Sequence, residues 1–130
     1  MRATLGGGAD PVAVVAESCR RVAASGTGDF TALVPPEIAV ERARTASARA
    51  QNGENPPLPR PSFRVKDNIH VAGMTTTANC PGLAMTPAES AGAVRLLEEA
   101  GAVLVGKNTM DQFATGLNGT RSPEPLCRNA

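Results

Sequence analysis

Few residues in this sequence can carry acid–base or covalent chemistry, and their spacing narrows the choice. There is one histidine, His70, and the three cysteines, Cys19, Cys80 and Cys127, are set far apart. No CxxC pair occurs and His70 is the only histidine, so the sequence gives no support for a metal site. Without a signal peptide, three scattered cysteines read as reduced thiols. A nucleophilic Cys80 would need an activating base, and the sequence offers only His70. His70 itself reads as a surface residue. Lys66 closes a short strand-like run, followed by Asp67 and Asn68. A lysine there is ordinarily a solvated strand end. Asp67 and Asn68 read as loop support. Six serines are present (Ser18, Ser25, Ser47, Ser62, Ser90 and Ser122), and none lies in a glycine-rich loop.

Two motifs need weighing against plainer explanations. Gly101 to Lys107 spells G-x-x-x-x-G-K, nearly a phosphate-binding loop. Asn108 follows where a Ser or Thr would ligate magnesium, and the four intervening residues, Ala-Val-Leu-Val, favour a strand over a loop of inward amides. A strand that leaves a helix through Gly101 and ends at Gly106 is the better reading. Asn118-Gly119-Thr120 is a glycosylation sequon by pattern, which matters only in a secreted chain.

These residues must be positioned by the surrounding elements. Asp10-Pro11 is an N-cap and first-turn pair, and Val12 to Ala24 reads as an amphipathic helix ending near Gly26. Asp29 to Val34 reads as a connector stopped by Pro35-Pro36, and Glu37 to Gln51 is rich in helix formers. Asn52 to Pro61, with four prolines, is a linker. This predicts a helical arm over 1–55 and a second region over 56–130. In that region Ser62 to Val65 is strand-like, and Asn68 to Gly73 is a second extended stretch. Thr86-Pro87-Ala88-Glu89 carries a capping box. Val94, Leu96, Leu97 and Ala100 form an apolar stripe ended by Gly101, and Ala102 to Val105 is a buried strand. Strand, helix and buried strand in this order predict a parallel crossover unit, so the class is α/β.

Composition excludes several functions. The 130 residues are 42% hydrophobic and 19% charged with a net charge of +1, which gives no footprint for nucleic acid. Arg42, Arg44 and Arg49 read as one solvated helix face. No apolar run is long enough to cross a membrane. Met1-Arg2 leads into Gly6-Gly7-Gly8 rather than an apolar segment, so no secretory signal is read and the cytoplasm is the expected location. Three Phe, with no Trp or Tyr, leave a core of small aliphatic side chains.

Three ordered blocks in the second region resemble the amidase signature family. They are Val65-Lys66-Asp67-Asn68-Ile69 with Val71-Ala72-Gly73-Met74, then Gly101 to Lys107, then Met110-Asp111-Gln112-Phe113-Ala114-Thr115-Gly116-Leu117 with Gly119-Thr120-Arg121-Ser122-Pro123. The last block is similar to allophanate hydrolases. The resemblance runs from about Phe63 to Asn129. It implies a partial amidase-signature fold: short strands of a mixed sheet, a parallel strand–helix–strand unit and an N-terminal helical arm.

The resemblance also implies a mechanism. The family hydrolyses amide C–N bonds in small molecules with a Ser–cis-Ser–Lys triad and no metal or organic cofactor, and its lysine maps onto Lys66. That role requires a neutral amine, because an ammonium cannot accept a proton. Burial and backbone dipoles would have to lower the lysine pKa from about 10.4 towards neutrality. The family places Ala114, Thr115 and Gly116 along the substrate, and small residues there let a ligand approach the main chain. The alternative is a glycine that ends a short helix at Phe113-Ala114.

The chain departs from the family in several places. Arg64 stands where a small residue is usual, Asn108-Thr109 reverses the usual order, and Glu124-Pro125 replaces Tyr-Gly. The Gly/Ser-rich loop that holds both triad serines would follow Arg128-Asn129-Ala130. The expectation is therefore a segment cut before its nucleophile, inactive alone. Its open strand edges would self-associate or pair with a C-terminal part. The alternative is a non-catalytic partner-binding module derived from an amidase.

Overall fold

A computed structural model describes residues 9–25, 28–54, 58 and 61–123. The chain turns into α1 (Pro11–Ala24), β1 (Phe30–Leu33), α2 (Pro36–Gln51), β2 (Ser62–Lys66), α3 (Gly92–Glu99) and β3 (Val103–Asn108), with short 3₁₀ turns at Pro81–Leu83 and Gln112–Ala114. The described residues fall into two units. One lies within Met1–Ala24, Val34–Phe63 and Arg95–Val105, the other within Ser25–Leu33, Arg64–Val94 and Gly106–Ala130.

The first unit has an apolar core. Asp10 caps α1 as its sequence suggests: its carboxylate accepts the Val12 amide at 3.0 Å, with Pro11 opening the helix. Val15 and Cys19, one helical turn apart, are buried, and α1 packs on α2, whose buried positions are Ala39 and Ala43. Alanines there leave room for the facing helix. Gly101 ends α3 at a φ of 95°: its amide donates to the Glu98 carbonyl, and the Ala102 amide to Leu97. That is the paired bonding of a Schellman end. Residues 102–105 are all buried.

The three strands form one mixed sheet in the order β1-β3-β2. β1 and β3 are antiparallel. In β2 and β3, Val103 donates to Pro61 near one end and Asp67 to Asn108 near the other, the running order of parallel strands. The strand–helix–strand crossover is therefore present.

Several expectations are corrected. Residues 29–34 are not a plain connector, because Phe30–Leu33 pairs with β3 and its backbone groups are satisfied across the sheet. Residues 68–73 form a turn closed by a Val71–Met74 bridge, not a strand. The capping box at Thr86 starts no helix. The segment after it serves the 70–73 turn: Gly73 donates to the Pro87 carbonyl, Ala72 to the Ser90 hydroxyl, and Ala91 to the His70 carbonyl. α3 therefore begins at Gly92. Its apolar stripe is only partly buried, because at 100° per residue Leu96 lies on the side opposite Val94 and is 66% exposed. β3 also does not end at Gly106 but runs through Lys107 to Asn108. The expected helix end at Gly26, much of the 52–61 linker, and Cys127 lie outside the described residues.

Candidate functional site

All predicted site residues lie in the second unit. β2 sets their directions. Side chains alternate along a strand: Arg64 and Lys66 are exposed, while Asp67 is fully buried. On β3, Lys107 is fully buried as well. Lys107, Val94 and Asp67 are the largest fully buried side chains of this unit, so its centre holds an ionic pair where the first unit's is aliphatic.

The buried pair is closed by hydrogen bonds. The Lys107 Nζ lies 3.4 Å from Asp67 Oδ1 and donates to the Thr75 carbonyl at 2.9 Å and the Thr76 hydroxyl at 2.6 Å. Asp67 Oδ1 accepts the Thr31 hydroxyl at 2.8 Å. Its Oδ2 accepts the Thr77 amide and hydroxyl and the Asn79 amide. Thr31 reaches it because the β1–β3 register slips between Phe30 and Ala32, a bulge that re-aims a side chain. Burial pushes the Asp67 carboxyl up, but the Thr77, Asn79 and Thr31 donors and the Lys107 charge outweigh it, leaving the group below its ordinary value. Burial lowers Lys107 against the opposing pull of Asp67.

A second carboxylate organises the loop over 111–121. Asp111 accepts the Arg121 amide at 2.7 Å and the Gly119 amide at 3.0 Å. The Arg121 amide bond, opposed by burial, leads in holding this carboxyl below its usual range. The Arg121 guanidinium returns to the Thr115 carbonyl at 2.8 Å, and Gln112 donates to the Arg121 carbonyl. The loop is closed on itself, and the predicted substrate residues Ala114, Thr115 and Gly116 sit on it. Phe113 and Ala114 have φ of 51° and 59°, left-handed values that cost a bulky residue energy. Ala78 and Asn79 are left-handed too, and the Phe113 amide donates to the Ala78 carbonyl, so the two strained pairs brace each other. Gly116 has a structural reason: a Cβ there would fall onto the Asp111 carboxylate. Gly116→Ala is expected to push Asp111 off the Gly119 and Arg121 amides, read as faster hydrogen exchange at both positions, with a stability loss of about 1–3 kcal/mol. Unchanged exchange at both amides would refute this close approach.

The structure thus keeps Lys66 and the 114–116 segment in one unit, with Lys66 at an exposed strand end. His70 is exposed and Cys80 half-buried, and among the described residues no hydrogen bond joins them. No cluster of three or more His, Cys, Asp or Glu side chains that could hold a metal occurs among those residues. No helix there is long and apolar enough to cross a membrane. A surface groove of about 480 Å³ lies in the first unit, lined by Ile38, Arg42, Arg49 and Glu98 among others, and contains none of the predicted residues. Sequence reasoning missed the Lys107–Asp67 pair. The signal was present: a lysine that follows the apolar run of 102–105 after a single glycine, in the same buried strand, has to find a buried counter-charge.

A family model described as Amidase matches residues 13–130. The chain belongs to the amidase family. Urea amidolyase of Saccharomyces cerevisiae is 53% identical over 73 residues, which are 56% of this chain and 4% of that protein. A glutamyl-tRNA(Gln) amidotransferase subunit of Deinococcus deserti is 40% identical over 118 residues, 88% of this chain and 24% of the relative. Among solved structures, allophanate hydrolase of Kluyveromyces lactis superposes with a TM-score of 0.68 at 33% identity, over 92% of this chain and 20% of that one. An inhibitor-bound complex tied to the origins of an s-triazine catabolic enzyme gives 0.78 at 30% identity, over 89% and 26%. This amidase-family chain is allophanate-hydrolase-like, and it spans between 4% and 24% of the length of these two curated relatives.

Proposed function

We propose that these 130 residues are the lysine-bearing part of an allophanate-hydrolase-like amidase, in which Lys66 accepts the proton of a nucleophilic serine through a second serine. The observation that carries this reading is the division of labour at the end of β2. Asp67 is locked inward by Thr31, Thr77, Asn79 and Lys107, and this turns the neighbouring Lys66 outward, where a reacting group could reach it. There the rest of an amidase domain would supply the burial that a neutral lysine requires. The 53% identity to a urea amidolyase supports allophanate as the substrate, and the small residues at 114–116 support a ligand against the main chain. On this reading residues 1–55 are a helical lead-in and 56–130 the first part of the amidase domain, working in the cytoplasm.

Both triad serines belong to a Gly/Ser-rich loop that the 130 residues do not contain. Loss of one triad member already costs several orders of magnitude in rate. The purified chain is accordingly expected to release no ammonia from allophanate above the buffer blank. Turnover proportional to added protein at high concentration would refute that. Exposed Leu83, Met85, Phe113 and Leu117 in the second unit favour a covering polypeptide, supplied by the rest of an amidase domain or by another copy.

A further inference from the structure

The face of the sheet that carries Lys66 holds a second cation. Arg64 lies two residues earlier on β2, so it shares the Lys66 face, and both are exposed. On the neighbouring strand Gly106 presents no side chain. A Cβ there would meet Leu33 Cδ2 at 3.1 Å and Phe30 Cδ1 at 3.4 Å, which places Phe30 on that same face. Across this gap the Arg64 guanidinium reaches the Phe30 ring, with Cζ 5.7 Å from the ring centroid. A guanidinium held over an aromatic ring keeps its N–H edges free for a planar, two-oxygen acceptor. Among the described residues Arg20, Arg21, Arg42, Arg44, Arg49 and Lys107 each have a carboxylate partner, whereas Arg64 and Lys66 have none.

We infer that Arg64 is a specificity residue that takes the carboxylate of an anionic amide whose other end is presented to Lys66. This rests on the amidase reading and narrows its substrates to small amides bearing a carboxylate, as allophanate does. The two side chains start about 7 Å apart along the strand and are long enough to converge on one small molecule. A neutral amide would leave the guanidinium without its acceptor, so selection should follow charge rather than size.

The test is binding by the full chain, followed by nitrogen–proton NMR. The probes are malonamate, which carries an amide and a carboxylate, and malonamide, its neutral counterpart of similar size, at matched ionic strength. Malonamate is expected to shift the Arg64 Nε–H and the Lys66 backbone amide saturably, at least about tenfold more tightly than malonamide, the size of one charge-assisted hydrogen bond. Arg64→Gln should abolish that preference while the rest of the spectrum stays in place, and Arg64→Lys, which keeps the charge but not the fork, should restore only part of it. Equal response to the two probes, no saturable shift, or an unchanged preference in Arg64→Gln would each overturn the assignment. Turnover does not enter this measurement, so its failure leaves the Lys66 mechanism standing, and failure of that mechanism leaves the charge preference readable.

Discussion

Replacing Asp67 by alanine is expected to destabilise the chain by about 3–5 kcal/mol, the usual cost of leaving one buried charge without its partner. The substitution strands the Lys107 ammonium in a fully buried position and also removes the acceptor of the Thr77 and Asn79 amides and the Thr31 hydroxyl. Lys107→Met should cost less, because Asp67 would keep those donors. The double variant should cost less than the sum of the single ones, since neither charge is then orphaned. Urea denaturation of the four proteins checks the order. Equal, additive losses would show that the two groups do not interact. The same pair fixes a pH dependence. The Asp67 carboxyl titrates lower in the folded chain than in the unfolded one, where its value is about 3.9. Between the two values the unfolded chain binds more protons, so stability rises with pH through that window. Its contribution is complete above about pH 4 to 5 and is lost as the pH falls through the folded value. Asp67→Asn should flatten this acid limb.

The second large effect concerns rate. In a complete enzyme that contains this segment, Lys66→Ala is expected to lower kcat/KM about 10³-fold or more and to stop accumulation of the acyl-enzyme, as loss of a proton acceptor does in other triads. Lys66→Arg should be as damaging, because a guanidinium stays charged and cannot take a proton. That variant separates acid–base chemistry from simple charge: if arginine restores substantial turnover, Lys66 acts through its positive charge and not as a base. In the 130-residue chain, where Lys66 is exposed, its replacement is not expected to affect folding, so thermal unfolding of that Lys66→Ala chain should match the parent.

These two experiments address adjacent residues of opposite character, and the contrast shows what could be read without coordinates. The amino-acid order alone carried the family: three blocks around Lys66, Lys107 and Asp111 agree with an amidase, and the match over 13–130 bears this out. Local signals also sufficed where the physics is local. Asp10-Pro11 starts a helix through its own carboxylate and fixed φ, and Gly101 ends one because it can adopt a φ of 95°. The strand over Ser62 to Val65 was legible from its own residues too, and β2 runs one residue further, to Lys66.

Tertiary structure decided what depends on residues distant in the chain. β1 is only four residues long, and nothing local marks it as a strand. It exists because Phe30 pairs with Asn108, far along the sequence. A capping box at Thr86 is a sound local signal that lost, since Pro87 and Ser90 are engaged by the 70–73 turn before a helix can form. Gly116 is small because Asp111 occupies the space, which no spacing rule reports. Above all, Lys66 and Lys107 are the same residue type, each near the end of a short strand. The sequence assigned the exposed one its role by resemblance and treated the other as a strand end. Only the fold shows that Lys107 is buried against Asp67 while Lys66 faces outward, because a lysine's charge state and reach depend on where its neighbours' dipoles and carboxylates come to rest.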